Sequence, residues 1–385
     1  MNIFSYNIIL TFFYPIILLV GIIRLSFRKE SYLSFQQKFF ANHDYSKFQK
    51  VDIIIHFASI GELNSIKFLL DKLNNEEILL TCSTLSSYNL SKEKYPHLNI
   101  IFLPIDFQWN VNKFILNINL EKILWIDSEI WPNWLNCSKK AKIKNILVNG
   151  RLSKKSYTNW IKLKSFSTYL GEKYELIFAK SVEDKDRLYE VFQSEIYYFG
   201  NLKFYLDVSL HKVKKNNLCF ASIHKAEFEK IIEIISKLDL NLFESIIIIP
   251  RHIQFSNDLK MMLGEDLKNK IDIHDKFGES QDIFDKSKIV FMGGSLIHHG
   301  GQNPLEALAR GCHIVSGEYN DNFRDQYLAL ERLTLATIVS SNISQISSKI
   351  NDLVDLNFDN SNLIVNYFRD NKKNLNKMIE MIQQC

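Results

Sequence analysis

The chain has 385 residues, 46% of them hydrophobic and 23% charged, with a net charge of +4. That is enough apolar content and length for two ordinary domains, and it excludes a disordered chain. The weak positive charge, without a basic stripe interleaved with aromatics, argues against a nucleic-acid binder. The five cysteines are scattered and form no Cys-x-x-Cys pair, which argues against a disulfide framework or a zinc site.

The first element in chain order is apolar. Residues 3–23 carry no charged side chain, and at ~1.5 Å per residue they are long enough to cross a bilayer core. Arg24, Arg28 and Lys29 follow at once. The positive-inside rule then puts the rest of the chain in the cytoplasm. Residues 1–29 are expected to be a membrane anchor that spans the bilayer or is deeply embedded in it. Ser5, Tyr6, Asn7 and Pro15 weaken the span and leave an interfacial helix as the alternative.

Beyond the anchor, short apolar runs alternate with amphipathic ones. Strands are predicted at 51–59, 77–84, 99–104, 122–127, 145–150 and 176–180, with helices such as 61–73 and 154–168 between them. A second series follows at 218–223, 245–250, 270–274, 288–294, 312–317 and 335–340, with helices at 225–237, 302–310 and 343–355. The join falls near 201–217, where regular patterning is lost. The expected organisation is one domain over 30–205 and a second over 206–385. The final helical stretch, 360–385, is expected to pack back on the first domain. The fold class predicted is α/β, two Rossmann-like domains facing a cleft, with ligands at the carboxyl ends of the strands.

Candidate residues stand just after those strands. Glu62 follows a Ser-Ile-Gly turn at a helix start, where a carboxylate either satisfies the helix dipole or serves as a general base. Asp127 and Glu129 end a strand before Trp131-Pro132, with no further His or acid at metal-ligand spacing. Arg151 and Lys203 each place a cation after a strand, and Arg251, held by Pro250, is a candidate phosphate clamp. Ser222 and His224 stand at the mouth of the same sheet. The stretch 292–311, MGGSLIHHGGQNPLEALARG, is the densest motif. The backbone of Gly293, Gly294, Gly300 and Gly301 and the helix start at Asn303-Pro304 can approach an anion, and Glu306 can grip a ribose. The motif is neither a Walker loop nor a dinucleotide fingerprint, so an ATPase or dehydrogenase is disfavoured.

Nine motifs in order carry a resemblance: SIGE (59–62), PIDF (104–107), SEIWPN (128–133), NGRLS (149–153), GNLKF (200–204), ASIH (221–224), PRH (250–252), GGSLIHHGGQNPLE (293–306) and NFRD (322–325). On these the chain resembles the 3-deoxy-D-manno-octulosonic acid (Kdo) transferases, GT-B glycosyltransferases of lipopolysaccharide assembly. The resemblance implies transfer of Kdo from CMP-Kdo to lipid IVA with inversion, at the cytoplasmic face of the inner membrane, without a bound metal or other cofactor. It assigns Glu62 as base and Asp127 and Lys203 as transition-state stabilisers. Pro250, Arg251, Phe277, Gly278, Glu279, Gly294, Ser295, Asn303, Pro304, Leu305 and Glu306 match the segments that hold CMP. Departures are Asp127 where the family has Glu, ASIHKAE at 221–227, and YLSFQQKFF at 32–40 in place of the usual Arg-Leu-Gly. The alternatives are a GT-B transferase using another nucleotide sugar, or a non-catalytic membrane-tethered nucleotide-binding protein.

Overall fold

Strands buried on both faces read as unbroken apolar runs, and the first of them shows why. In β1 (Lys50–Phe57) Ile53, Ile54 and Ile55 are all sealed from solvent, so no polar face interrupts the sequence. The computed structural model describes residues 1–385 except 49, 75, 211–215, 269, 277–279, 341, 357–359 and the side chains of 265 and 266. The chain divides into two compact units. One is Met1–Tyr205 with Asn371–Cys385, and the other is Leu206–Asp370.

The N-terminal unit holds β1, β2 (Ile78–Cys82), β3 (Asn99–Phe102), β4 (Asn119–Ile126), β5 (Lys144–Gly150), β6 (Tyr174–Ala179) and β7 (Tyr197–Tyr198). They form one sheet in the order β3-β2-β1-β4-β5-β6-β7, every pairing parallel. Strand β7 has two residues, too few to show a pattern, and was not expected. The helix expected over 61–73 is two, Ile60–Ser65 and Lys67–Lys72. The break follows Ser65, whose hydroxyl donates to the Glu62 carbonyl at 2.7 Å and competes with the helix ladder. The core gathers Ile54, Trp125, Trp134 and Phe166. Its tryptophans keep partners: Trp125 donates to Asn145 Oδ1 at 3.1 Å and Trp134 to the Pro104 carbonyl at 2.9 Å. The end of the final helix, Ser361–Gln384, belongs here too, and Lys122 donates to the Ile382 carbonyl at 3.1 Å.

The C-terminal unit holds β8 (Asn217–Ile223), β9 (Ser245–Pro250), β10 (Ile271–Ile273), β11 (Ser287–Met292), β12 (His313–Gly317) and β13 (Ala336–Val339). Their order is β10-β9-β8-β11-β12-β13, again all parallel. Phe220, Ile231, Phe291 and Ile346 lie in its core. In each unit the strand order reverses direction once, between β1 and β4 and between β8 and β11. Ligands of doubly wound sheets bind outside the strand ends at such a switch point.

The apolar N-terminus forms α1 (Ile3–Ser26), long and apolar enough to cross a membrane, with mean hydropathy 2.4 over its most apolar window. One stripe of α1 lies against the N-terminal unit. Tyr14 meets Phe107 and Trp109 edge-on, and Gly21 is so close to Phe39 that a Cβ there would stand 2.4 Å from the ring. Tyr6 donates to Asp106 at 2.8 Å. The opposite face, including Phe4, Ile8, Phe12, Ile16 and Leu19, is exposed.

Candidate functional site

At the switch point of the N-terminal sheet, β1 ends in a turn whose Ser59 caps the helix Ile60–Ser65, accepting from the Glu62 amide at 3.3 Å. The Glu62 carboxylate folds back. It accepts from the Ala58 amide at 2.6 Å and from the Ser59 hydroxyl at 2.9 Å. Burial raises its proton affinity above the ordinary carboxylate range against these two hydrogen bonds, and the charges of Asp127 and Glu129 push it further up.

Those acids stand on the loop after β4. Asp127 has a positive φ of 66°, a costly backbone for a residue with a side chain. Its amide donates to the Val148 carbonyl and its carbonyl accepts from the Arg151 amide, so the loop is pinned to β5 on both sides. Lys180, buried at the end of β6, brings its ammonium to 3.6 Å from Asp127. Glu129 accepts from Trp131 at 2.5 Å, and its carboxylate lies 3.5 Å from His56 Nε2. Burial pushes the Glu129 carboxyl up, but the contacts with His56 and Trp131 outweigh it and hold the group below the usual range. His56, fully buried in β1, is held from its other nitrogen by Thr81 at 2.9 Å.

Lys203 sits on a short 3-10 turn, Leu202–Phe204, capped by Asn201. Asn149, at the end of β5 with a φ of 59°, accepts from the Leu202 amide at 3.3 Å and so ties GNLKF to NGRLS. Sequence reasoning placed Glu62 and Asp127 at strand ends but missed His56 and Lys180. Both are ordinary strand residues in the sequence, and only the sheet order brings them to the acids.

In the C-terminal unit, β8, β9 and β11 end together. Ser222 takes a φ of 57° before His224. The His224 ring lies 4.2 Å from that of His299 and 6.2 Å from that of His252, centre to centre, and its Nε2 is 3.1 Å from Gln302 Nε2. Burial lowers the His224 pKa, and the neighbouring His299 and Arg251 add to the effect. Arg251 follows Pro250, the last residue of β9, with its amide bonded to the Ile223 carbonyl at 2.8 Å and its side chain exposed. Asn322, of NFRD, holds the second glycine pair: its amide donates to the Gly300 carbonyl and its side chain to the His299 carbonyl.

The Gly-Gly-Ser turn corrects one expectation. Gly293 is required because a Cβ there would meet the Ser222 carbonyl oxygen at 2.4 Å, and Gly294 has a φ of 69°. Yet the amides of Gly294, Ser295 and Leu296 do not wait for a phosphate. They donate to the carboxylate of Glu227, at 2.7, 3.1 and 3.0 Å, and Glu227 also accepts from the His224 amide at 3.0 Å. Glu227 is completely buried and laces the two sides of the switch point together. A sequence reading takes any glycine-rich turn as open backbone; it cannot see an internal anion 67 residues away. Ser295 is likewise occupied, its hydroxyl bridging the Met292 carbonyl and the Gly317 amide.

The helix after the second glycine pair runs Leu305–Ala309, later than expected. Asn303 accepts from the Leu305 amide at 3.3 Å, while Leu305 itself is fully buried and Glu306 is exposed. Phe277, Gly278 and Glu279 lie outside the described residues. Among the described residues no three His, Cys, Asp or Glu side chains are grouped to hold a metal ion.

Two Rossmann-like units, each parallel and reversed once at its site, behind an N-terminal apolar helix, define the class as the GT-B glycosyltransferase architecture. The Anabaena HepE protein in complex with UDP shares the fold at a TM-score of 0.60, with 10% identity over 87% of this chain and 100% of that one. Residues 32–206 match the family described as 3-deoxy-D-manno-octulosonic-acid transferase (kdotransferase). A 3-deoxy-D-manno-octulosonic acid transferase of Rickettsia conorii is 32% identical over 301 residues, 69% of this chain and 63% of the relative. A bifunctional glycosyltransferase/methyltransferase of Fusobacterium nucleatum is 27% identical over 343 residues, 78% of this chain and 52% of the relative. The chain thus spans between half and two thirds of the length of these relatives. Over residues 32–206 it is similar to the Kdo-transferase family, on a chain of GT-B architecture.

Proposed function

We propose that the protein is an inverting glycosyltransferase that moves Kdo from CMP-Kdo to lipid IVA at the cytoplasmic face of the inner membrane. The observation that carries the reading is Glu62, a half-buried carboxylate of raised proton affinity at a switch point, beside Asp127 and Glu129. A sugar hydroxyl is a poor nucleophile. Glu62 takes its proton as the new C–O bond forms at the anomeric carbon of Kdo, and the bond to the CMP phosphate breaks with its electron pair leaving on the phosphate. One displacement inverts the anomeric centre. Asp127, buffered by Lys180, stabilises the cationic character that develops at that carbon, and Lys203 is the second stabiliser.

Donor binding falls to the strand ends of the C-terminal unit. Arg251 binds phosphate as a fixed cation, and His224, His252 and His299 surround the same edge. Gly294 and Ser295 act through the shape of their turn, since their amides belong to Glu227. Pro250, Asn303, Pro304 and Glu306 complete the segments on which CMP rests. Phe277, Gly278 and Glu279 are retained from the family pattern.

The membrane part of the reading changes with the packing of α1. Both ends of the helix touch the N-terminal unit, at Tyr6 and at Gly21. A helix so attached lies in the interface with Phe4, Ile8, Phe12, Ile16 and Leu19 in lipid rather than crossing the bilayer. The test of the function is mass spectrometry of lipid IVA incubated with CMP-Kdo, or with competing UDP-sugars, and the purified protein. A Kdo mass increment with CMP-Kdo alone is expected. No increment, or one with a UDP-sugar, would overturn the assignment.

A further inference from the structure

Between α1 and the N-terminal sheet lies an open cavity of about 430 Å³. Its apolar lining comes from Leu10 and Ile17 of α1, Ile105 and Phe107 after β3, and Ile130 and Trp131 after β4. Its polar lining is already spent. Tyr6 donates to Asp106, Asp106 also accepts from the Asn133 and Trp134 amides at 3.0 and 2.9 Å, and Glu129 is taken up by Trp131 and His56. A second cavity of about 200 Å³ shares Ile17, Ile105 and Trp131 with the first and extends along α1 to Val20 and Arg24. The two together make a mainly apolar slot along the inner stripe of α1, opposite exposed Phe12 and Ile16, with the Arg24–Glu30–Lys38 ion pairs and Ser83 at one end. The volume suits a flexible hydrocarbon along the part lined by Leu10, Ile17, Ile105, Phe107, Ile130 and Trp131.

We propose that this slot takes one fatty acyl chain of the acceptor lipid, an inference that rests on the acceptor being a lipid. Two observations select that occupant over a bystander lipid. One wall of the slot is α1 itself, the helix whose outer face is offered to a membrane. Another wall is the loop 127–132, which also carries Asp127 and Glu129, the acids whose charges act on Glu62. A chain seated there tethers the acceptor's sugar within reach of the base. The chain thereby contributes to acceptor binding and not to the chemical step.

The experiment fills the slot with Leu10→Trp and, separately, Ile130→Trp, and compares kinetics on lipid IVA with those on its deacylated disaccharide. Leu10→Trp is expected to raise KM for lipid IVA about tenfold, as loss of a few buried methylenes would. It should leave kcat, KM for CMP-Kdo and the rate on the deacylated disaccharide unchanged. An unchanged KM for lipid IVA, or an equal loss on both acceptors, overturns the slot. Lipid IVA carrying a photoactivatable diazirine in an acyl chain gives a readout independent of turnover. Adducts at Leu10, Ile17 or Ile130 of the native protein support the slot, and adducts confined to Phe12, Ile16 and Leu19 overturn it. If adducts form in the slot but native protein transfers no Kdo, the proposed reaction fails while the slot stands.

Discussion

Glu62 is held by two short hydrogen bonds, yet burial and two neighbouring acids keep its proton affinity up. Glu62→Gln is close in shape and keeps the bond from the Ala58 amide through its one oxygen, with the Ser59 bond reversed, but it cannot accept a proton. It is expected to lower kcat by about 10²–10⁴-fold while CMP affinity stays unchanged by calorimetry. Loss of CMP binding instead would make Glu62 structural. A base works only when deprotonated, so activity falls as pH drops through the raised Glu62 pKa. Asp127→Asn removes one of the charges that raises it. Beyond any loss in kcat, the acid limb of kcat/KM should therefore move to lower pH. A limb that stays in place would show that Asp127 does not act on the base.

At the scale of elements, Glu227 and Asp106 are buried carboxylates that stitch loops together. Glu227 satisfies four backbone amides across the switch point of the C-terminal sheet. Glu227→Ala leaves them buried without an acceptor and should destabilise that unit by about 3 kcal/mol, read as an earlier urea transition. A change within about 0.5 kcal/mol, as for an ordinary surface substitution, would refute the clasp. Asp106 holds the start of the helix Pro132–Lys140 and the hydroxyl of Tyr6. Burial raises its pKa to about 7, against about 4 in an unfolded chain. The folded state therefore binds the proton more tightly. The stability this contributes is full below about pH 4 and is lost as pH rises through about 7. Asp106→Asn should flatten that slope in denaturation curves taken between these pH values, and hydrogen exchange in α1 should quicken.

At the scale of the whole molecule, the orientation of α1 decides which side of the membrane the N-terminus occupies. A spanning helix puts residue 2 across the bilayer from Arg24. A helix lying along the N-terminal unit keeps both on one side, with Arg24, Arg28 and Lys29 each adding about 1 kcal/mol of attraction to an anionic surface. A cysteine introduced as Asn2→Cys should thus resist an impermeant thiol reagent in intact cells and react once they are opened. Labelling in intact cells would restore the spanning helix.

The amino-acid sequence by itself determined the two series of strands. A strand covered on both faces must be a short apolar run, and that pattern is local. It also put Glu62, Asp127 and Arg251 just after strands, where the turn residues Gly61 and Pro250 mark the ends. Only the tertiary structure decided the partners. His56 meets Glu129 because β1 and β4 are neighbours in the sheet, 73 residues apart in the chain. Glu227 fills the Gly-Gly-Ser turn because β8 and β11 are neighbours in theirs. The apolar stretch at the start reads as a span from hydropathy alone, but Tyr6, Tyr14 and Gly21 form a stripe whose meaning depends on Asp106, Phe107 and Phe39 being there to receive it. Periodicity is written along the chain, whereas which charge faces which is set by strand order, and strand order is a property of the folded sheet.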